Sequence, residues 1–153
     1  MPSKMPVAIR NAFKDEELPR LFAIECECFE PELRWHEPEF SREMTFARKL
    51  NLAWVAYIGS RIAGFLVAAV KGRKINIETC NVSRAHRRKG AATKLIAACE
   101  KAVKQRGYED MRLEVYTENP AQILYFQLGY RVCGFVKNYY GLGKHAISMA
   151  KRL

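Results

Sequence analysis

The sequence runs to 153 residues, enough for one domain with a real core and too few for two full ones. Hydrophobic residues make up 49% and charged ones 27%, with no Pro-, Gly- or Ser-rich run and no internal repeat, which excludes a disordered or repeat chain. The net charge is +10, yet residues 15–43 hold ten acids against three arginines, leaving +17 for the remainder. One part of the surface therefore suits anions and another cations, unless both are plain solvated faces.

Hydrophobic periodicity then orders the elements. Val7–Asn11 reads as a short strand, and Met1–Arg10 lacks the apolar core of a signal peptide. Asp15–Phe29 places Leu18, Leu21, Phe22 and Cys26 at helical spacing, with Asp15 as its cap. A loop broken by Pro31 and Pro38 carries Trp35 and His36, and Glu39–Leu50 reads as a second helix. Leu52–Ile58 turns at Gly59-Ser60 into Arg61–Val70. The apolar run Ile62–Val70 is too short to span a bilayer, so a soluble cytoplasmic protein with no membrane partner is expected.

After a turn at Gly72-Arg73, Ile75–Val82 is a third strand, and the basic loop Arg84–Lys89 leads into a helix over Gly90–Arg106. That helix carries Ala92, Leu95, Ile96, Cys99, Ala102 and Val103 as one stripe, and Gly107 stops it. Met111–Tyr116 is a strand, Pro120–Leu128 a helix ending at Gly129, and Tyr130–Val136 and Lys144–Lys151 are closing strands. A strand-helix-strand centre with antiparallel additions implies a single α/β domain over 1–153 with a mixed sheet. The five cysteines are scattered, so reduced thiols are expected, with Cys80 and Cys133 in the core, and the three histidines are too dispersed for a metal site.

The segment Arg87-Arg88-Lys89-Gly90-Ala91-Ala92 puts small residues and three cations at the mouth of a helix. Unpaired amides and the helix dipole favour an anion there, and the small side chains let a pyrophosphate approach the backbone. It has neither the second glycine and Lys-Ser/Thr pair of a Walker loop nor the three glycines of a dinucleotide fingerprint. The pattern Arg87-x-x-Gly90-x-Ala92, after a strand and opening a helix, resembles the acetyl-CoA pyrophosphate motif of the GNAT N-acetyltransferases. Leu113-Glu114-Val115, Ala121 and Leu124-Tyr125-Phe126-Gln127-Leu128-Gly129-Tyr130 are similar to that family's second block.

Val136–Tyr140 with His145–Met149 is similar to the protein N-terminal branch, particularly ribosomal-protein-alanine (RimI-like) enzymes. The resemblance implies a mostly antiparallel mixed sheet with a splayed central parallel pair flanked by helices, and acetyl-CoA as co-substrate with no metal. It implies that Asn81 and Val82 meet the pantetheine arm, that Arg87, Arg88, Lys89, Gly90, Ala91 and Ala92 hold the pyrophosphate, and that Asn119 contacts the cofactor. Two positions depart from the family pattern: Ala92 stands for Gly, and Glu118 stands where Asn is common, with Asn119 displaced by one.

Acetyl transfer to an amine needs a base for the ammonium, a donor for the oxyanion and an acid for the leaving thiolate. Glu114 matches the base of RimI-like enzymes, Glu78 lies where other branches carry theirs, and either could be an ordinary strand acid. Tyr125 matches the general acid, with a core residue as the alternative. Trp35, His36, Tyr139 and Tyr140 are candidates for an acceptor cleft. The expected acceptor is a protein or peptide N-terminus, in a monomer or homodimer whose basic surface is compatible with ribosome association. A small-molecule or lysine acetyltransferase, and a basic RNA-binding module, are the competing readings.

Overall fold

The computed structural model describes residues 5–153; residues 1–4, the start of the segment read for a signal core, lie outside the described residues. The elements are β1 (Val7–Arg10), α1 (Leu18–Cys28), α2 (Glu37–Lys49), β2 (Ala53–Ile58), β3 (Arg61–Lys71) and β4 (Lys74–Val82). They continue as α3 (Ala91–Gln105), β5 (Asp110–Tyr116), α4 (Ala121–Gln127), β6 (Arg131–Val136) and β7 (Ala146–Arg152). The strands form one seven-stranded sheet in the order β1-β2-β3-β4-β5-β7-β6. This is the mixed α/β architecture expected, in the chain order expected. No helix among the described residues is long and apolar enough to cross a membrane.

Internal contacts gather into two compact units, residues 1–68 with 79–99, and residues 69–78 with 100–153. In the first, β1 pairs antiparallel with β2 and β2 with β3. Every residue of β2 is buried, as are Ile62–Ala68 of β3, so both faces are covered and the strands read as continuous apolar runs. Phe40 of α2 is the centre of the aromatic packing, 5.2 Å from the Phe22 ring on α1 and 5.8 Å from Phe65 on β3.

Helix starts in this unit differ from the sequence reading. Asp15–Glu17 form a 3-10 turn before α1, and Asp15 caps nothing: it pairs with Arg48 at 2.7 Å, while Glu17 accepts the Lys14 N–H. Pro19 and Pro38 each sit in the first turn of a helix, where the missing N–H costs nothing, so α2 begins at Glu37 with His36 as its N-cap. The buried stripe of α1 is Leu21, Ile24 and Glu25, whereas Cys26 is exposed. An acid therefore occupies the apolar face.

In the second unit β4 and β5 are parallel, from Lys74↔Asp110 to Ile77↔Leu113. β7 pairs antiparallel with β5 over seven residues and with β6 on its other side. Along β5, Met111, Leu113 and Val115 are buried, and Arg112, Glu114 and Tyr116 alternate with them on the opposite face. Tyr130 is wholly buried, and its hydroxyl donates at 2.7 Å to Glu100, which also holds the Lys151 ammonium at 3.0 Å. β6 lies at the rim with every residue exposed and a register shift between Val132 and Gly134. Cys133 is thus exposed, which corrects its core placement, whereas Cys80 is half-buried as a residue with its thiol pushed up to about 12 by burial, and Cys99 is fully buried.

Candidate active site

In the first unit, the turn before α3 has the backbone an anion site needs. Arg88 and Gly90 are both left-handed, with φ of 63° and 80°, and such turns bring successive N–H groups to one side. Gly90 is exposed, and a side chain there would meet nothing within 4 Å, so the approach is open. Arg87, Arg88 and Lys89 are exposed and Ala91 is buried, which anchors the helix mouth. These residues fit a pyrophosphate group. Arg87 turns its Nε to the Val82 carbonyl at 3.2 Å, and that carbonyl also accepts from the Cys28 thiol. Its oxygen is therefore already engaged within the protein.

Helix α1 fastens this turn. Glu27 accepts from the Ser83 hydroxyl and the Arg84 N–H, both at 3.4 Å, and its carbonyl accepts from the Arg84 guanidinium at 3.2 Å. Glu25, two residues earlier and 2% exposed, accepts from the Asn81 carboxamide and, at 3.2 Å, from the Thr79 hydroxyl. Several acids of the 15–43 stretch thus serve the fold rather than a partner. Glu25 is a residue the sequence reading missed, and its signal was a carboxylate on an apolar stripe.

Burial pushes the Glu25 carboxyl above its ordinary range, against smaller opposing effects of Asn81, Thr79, the Trp35 N–H and Arg34. Folding then favours the protonated form. The stability this contributes is complete at low pH and is lost as pH rises through the folded value. Glu25→Gln should accordingly flatten the stability-pH curve above pH 5 and unfold at a higher Tm than wild type at pH 8. Glu25→Ala, which strands Asn81 and Thr79, should lose about 1–3 kcal/mol. Denaturant melts from pH 4 to 8 measure both.

In the second unit a cavity of about 320 Å³ opens on the face of β5 opposite its buried residues. Glu78 of β4, Glu114 of β5, Ser148 of β7 and Tyr139 line it together with Asn76, Arg112, Lys71 and Lys74. Strand alternation explains the set: Asn76 and Glu78 are two apart, as are Arg112 and Glu114, and Ser148 is the register partner of Glu114. Burial raises the Glu78 carboxyl, an effect opposed by Lys71 at 3.6 Å and assisted by Glu114. Tyr139 is likewise held in its neutral phenol form by burial and by both carboxylates.

The tyrosine-bearing loop is pinned from within. Asn138, at φ 56°, donates its N–H to His145 Nδ1 and accepts the Gly143 N–H at 2.8 Å. Tyr140 packs edge-on against Tyr139 and Tyr116 and donates to the Glu114 carbonyl at 3.4 Å. Tyr125, on the short helix α4, is 9% exposed and edge-on to Tyr130 at 6.1 Å. Asn119 accepts the Ala121 N–H at 2.9 Å, so its carboxamide oxygen starts α4.

The structure thus gathers Glu78, Glu114 and Tyr139 at one cavity, with Tyr140 braced on the Glu114 backbone. Trp35, half-buried against Phe40, and His36, exposed, belong to the first unit with Asn81 to Ala92, while Tyr125 belongs to the second. Among the described residues no three His, Cys, Asp or Glu side chains cluster as metal ligands would.

Known proteins are similar to this chain in sequence and in fold. Residues 18–130 match the model of the Acetyltransferase (GNAT) family. An N-alpha-acetyltransferase of Saccharolobus solfataricus is 30% identical over 114 residues, 65% of this chain and 68% of that protein. The ribosomal-protein-S18-alanine N-acetyltransferase from Escherichia coli superposes with a TM-score of 0.80 at 23% identity, covering 95% of this chain and 93% of that one. The PaiA N-acetyltransferase from Thermoplasma acidophilum, in complex with coenzyme A, does so with a TM-score of 0.80 at 18% identity, over 97% and 100%.

Proposed function

Since the chain belongs to the GNAT acetyltransferase family, and so is an acyltransferase that uses acetyl-CoA, we propose that its acceptor is the N-terminal α-amine of a protein or peptide. The observation that carries this reading is the cavity in which Glu78 and Glu114 stand together beside Tyr139. An α-ammonium, with a reference pKa of about 8, needs only a carboxylate, directly or through one water, to become a nucleophile. Glu114 takes its proton. The amine attacks the thioester carbonyl; as the tetrahedral intermediate expels the thiolate, Tyr125 protonates the sulfur, the nitrogen releases its second proton to water, and Tyr125 regains a proton from solvent.

Oxyanion stabilisation falls to an amide at Asn81 or Val82, and the amides of Arg87 to Ala92 with the three cations hold the pyrophosphate. The amino half of the Asn119 carboxamide is the part that reaches the cofactor. Trp35, His36, Tyr139 and Tyr140 supply aromatic and polar contact to the peptide. We further propose that residues 1–153 act as one domain in the cytoplasm, where five free thiols are at home.

Peptides with a free or a blocked α-amine, scored by release of free thiol, test the reading. Transfer to the free form alone is expected, and equal transfer to a blocked peptide bearing a lysine would refute it. Glu114→Gln should lower kcat/KM about 100-fold at pH 7. Part of that loss should return toward pH 9, because the amine then sheds its proton unaided. A pH-independent rate equal to wild type would remove Glu114 from the base role.

A further inference from the structure

The cavity is lined by both signs of charge, and the strands say where each group stands. On β5, Arg112 precedes Glu114 by two residues on the same face, and on β4, Lys74 precedes Glu78 by four. Register places Arg112 beside Asn76 and Lys74 beside Asp110, so of the cavity's own lining Arg112 and Lys74 lie toward one end, with Asp110 next to Lys74, and Glu78 and Glu114 lie toward the other, where Lys71 meets Glu78. At 3.3 Å per residue the Cα atoms of Arg112 and Glu114 are about 7 Å apart.

The acid end already attracts an amine: the Lys71 ammonium, on a side chain that is 65% exposed, stands 3.6 Å from Glu78. Among the described residues the Arg112 Nε is buried with no hydrogen-bond partner, and its NH1 reaches the Cys133 sulfur at 3.4 Å. A buried guanidinium N–H left without an acceptor is uncommon, and the acceptor it suits best is a carboxylate oxygen.

We propose that this cavity selects acceptors by a carboxylate as well as by their amine, and that its preferred substrate is a polypeptide whose second residue is Asp or Glu. The inference rests on the N-terminal reading above and deepens it. The α-amine lies at Glu78 and Glu114, and the second side chain turns back along the floor to Arg112 and Lys74. Successive Cα atoms are 3.8 Å apart, so an acidic second side chain brings its carboxylate about 6–8 Å from the amine, the spacing the two ends offer. Lysine at that position would meet Arg112 and Lys74 as a like charge. Arg112 and Lys74 determine specificity and take no part in bond making.

Three peptides that differ only in residue two (Ala, Glu or Lys) are assayed with the full chain at saturating acetyl-CoA. A charge-assisted contact to Arg112 should give the Glu peptide a kcat/KM about 10- to 100-fold above the Lys peptide, carried by KM. The ratio should shrink as salt rises from 0.05 to 0.5 M. Arg112→Glu should invert the preference, and Lys74→Glu, independently of how the first variant folds, should reduce it. A wild-type ratio near one, with all three peptides acetylated, overturns the charge reading and leaves N-terminal acetylation standing. Transfer to none of them, with transfer to a polyamine such as spermidine, overturns both.

Discussion

Replacing Tyr125 with phenylalanine is expected to lower kcat about 100- to 1,000-fold while leaving the dissociation constant for coenzyme A within about twofold of wild type. The change removes one oxygen and keeps the ring. Tyr125 sits in a helix of seven residues that ends at Leu128 and Gly129, the latter at φ 100°. Its carbonyl accepts the Tyr130 N–H at 2.9 Å, and its ring meets the Tyr130 ring edge-on. Tyr130 is in turn fixed by Glu100. Phenylalanine keeps each of these contacts, so a loss of rate with an unchanged Tm isolates the hydroxyl as the proton donor to the leaving thiolate. Pre-steady-state thiol release against equilibrium coenzyme A binding separates the two quantities, and full turnover in the variant would withdraw Tyr125 from the chemistry.

Gly64→Ala is expected to be the most damaging single methyl in the first unit. A Cβ at Gly64 would overlap the Asn81 backbone carbonyl and lie 3.2 Å from both Cα and Cγ2 of Val82. Neither atom group is the free end of a flexible side chain. The neighbouring Ser83 N–H donates to the Ala63 carbonyl at 2.8 Å, which holds the strands at this spacing. Overpacking of this kind costs about 3 kcal/mol, or roughly 6–12 °C in Tm for a chain of this size. The displaced residues are Asn81 and Val82, so coenzyme A should also stabilise the variant less than it stabilises wild type. Thermal melts with and without coenzyme A read both effects, and an unaltered Tm would mean that β3 and β4 part freely at this point.

The sequence revealed what local physics dictates. Alternation exposed Glu78 and Glu114 as acids on strands, and small residues after a basic loop marked the mouth of α3. It missed features set by contacts distant along the chain. Glu25 was passed over because Cys26 fits an apolar stripe better by composition, although the helix phase buries the carboxylate against Thr79 and Asn81. Arg112 and Lys74 look like ordinary solvated strand residues until β4, β5 and β7 lie side by side. Cys133 sits in the apolar run Val-Cys-Gly-Phe-Val, which suggests an inner strand, yet β6 is the rim. Which strand lies outermost is decided by the insertion of β7, and neither β6 nor β7 encodes that alone.

That insertion governs the timing of assembly. β5 has β4 on one side as soon as it is made, but it gains its second neighbour only after β6, and Ser148 must travel back to stand opposite Glu114. Long loops close slowly and local helices quickly, so α3 and the β2–β3 hairpin belong to the early phase of folding and the acceptor floor to the last. A nascent chain that has emerged only as far as Val136 contains every residue of the turn before α3 and none of β7. It cannot yet present a surface on which a polypeptide would be read.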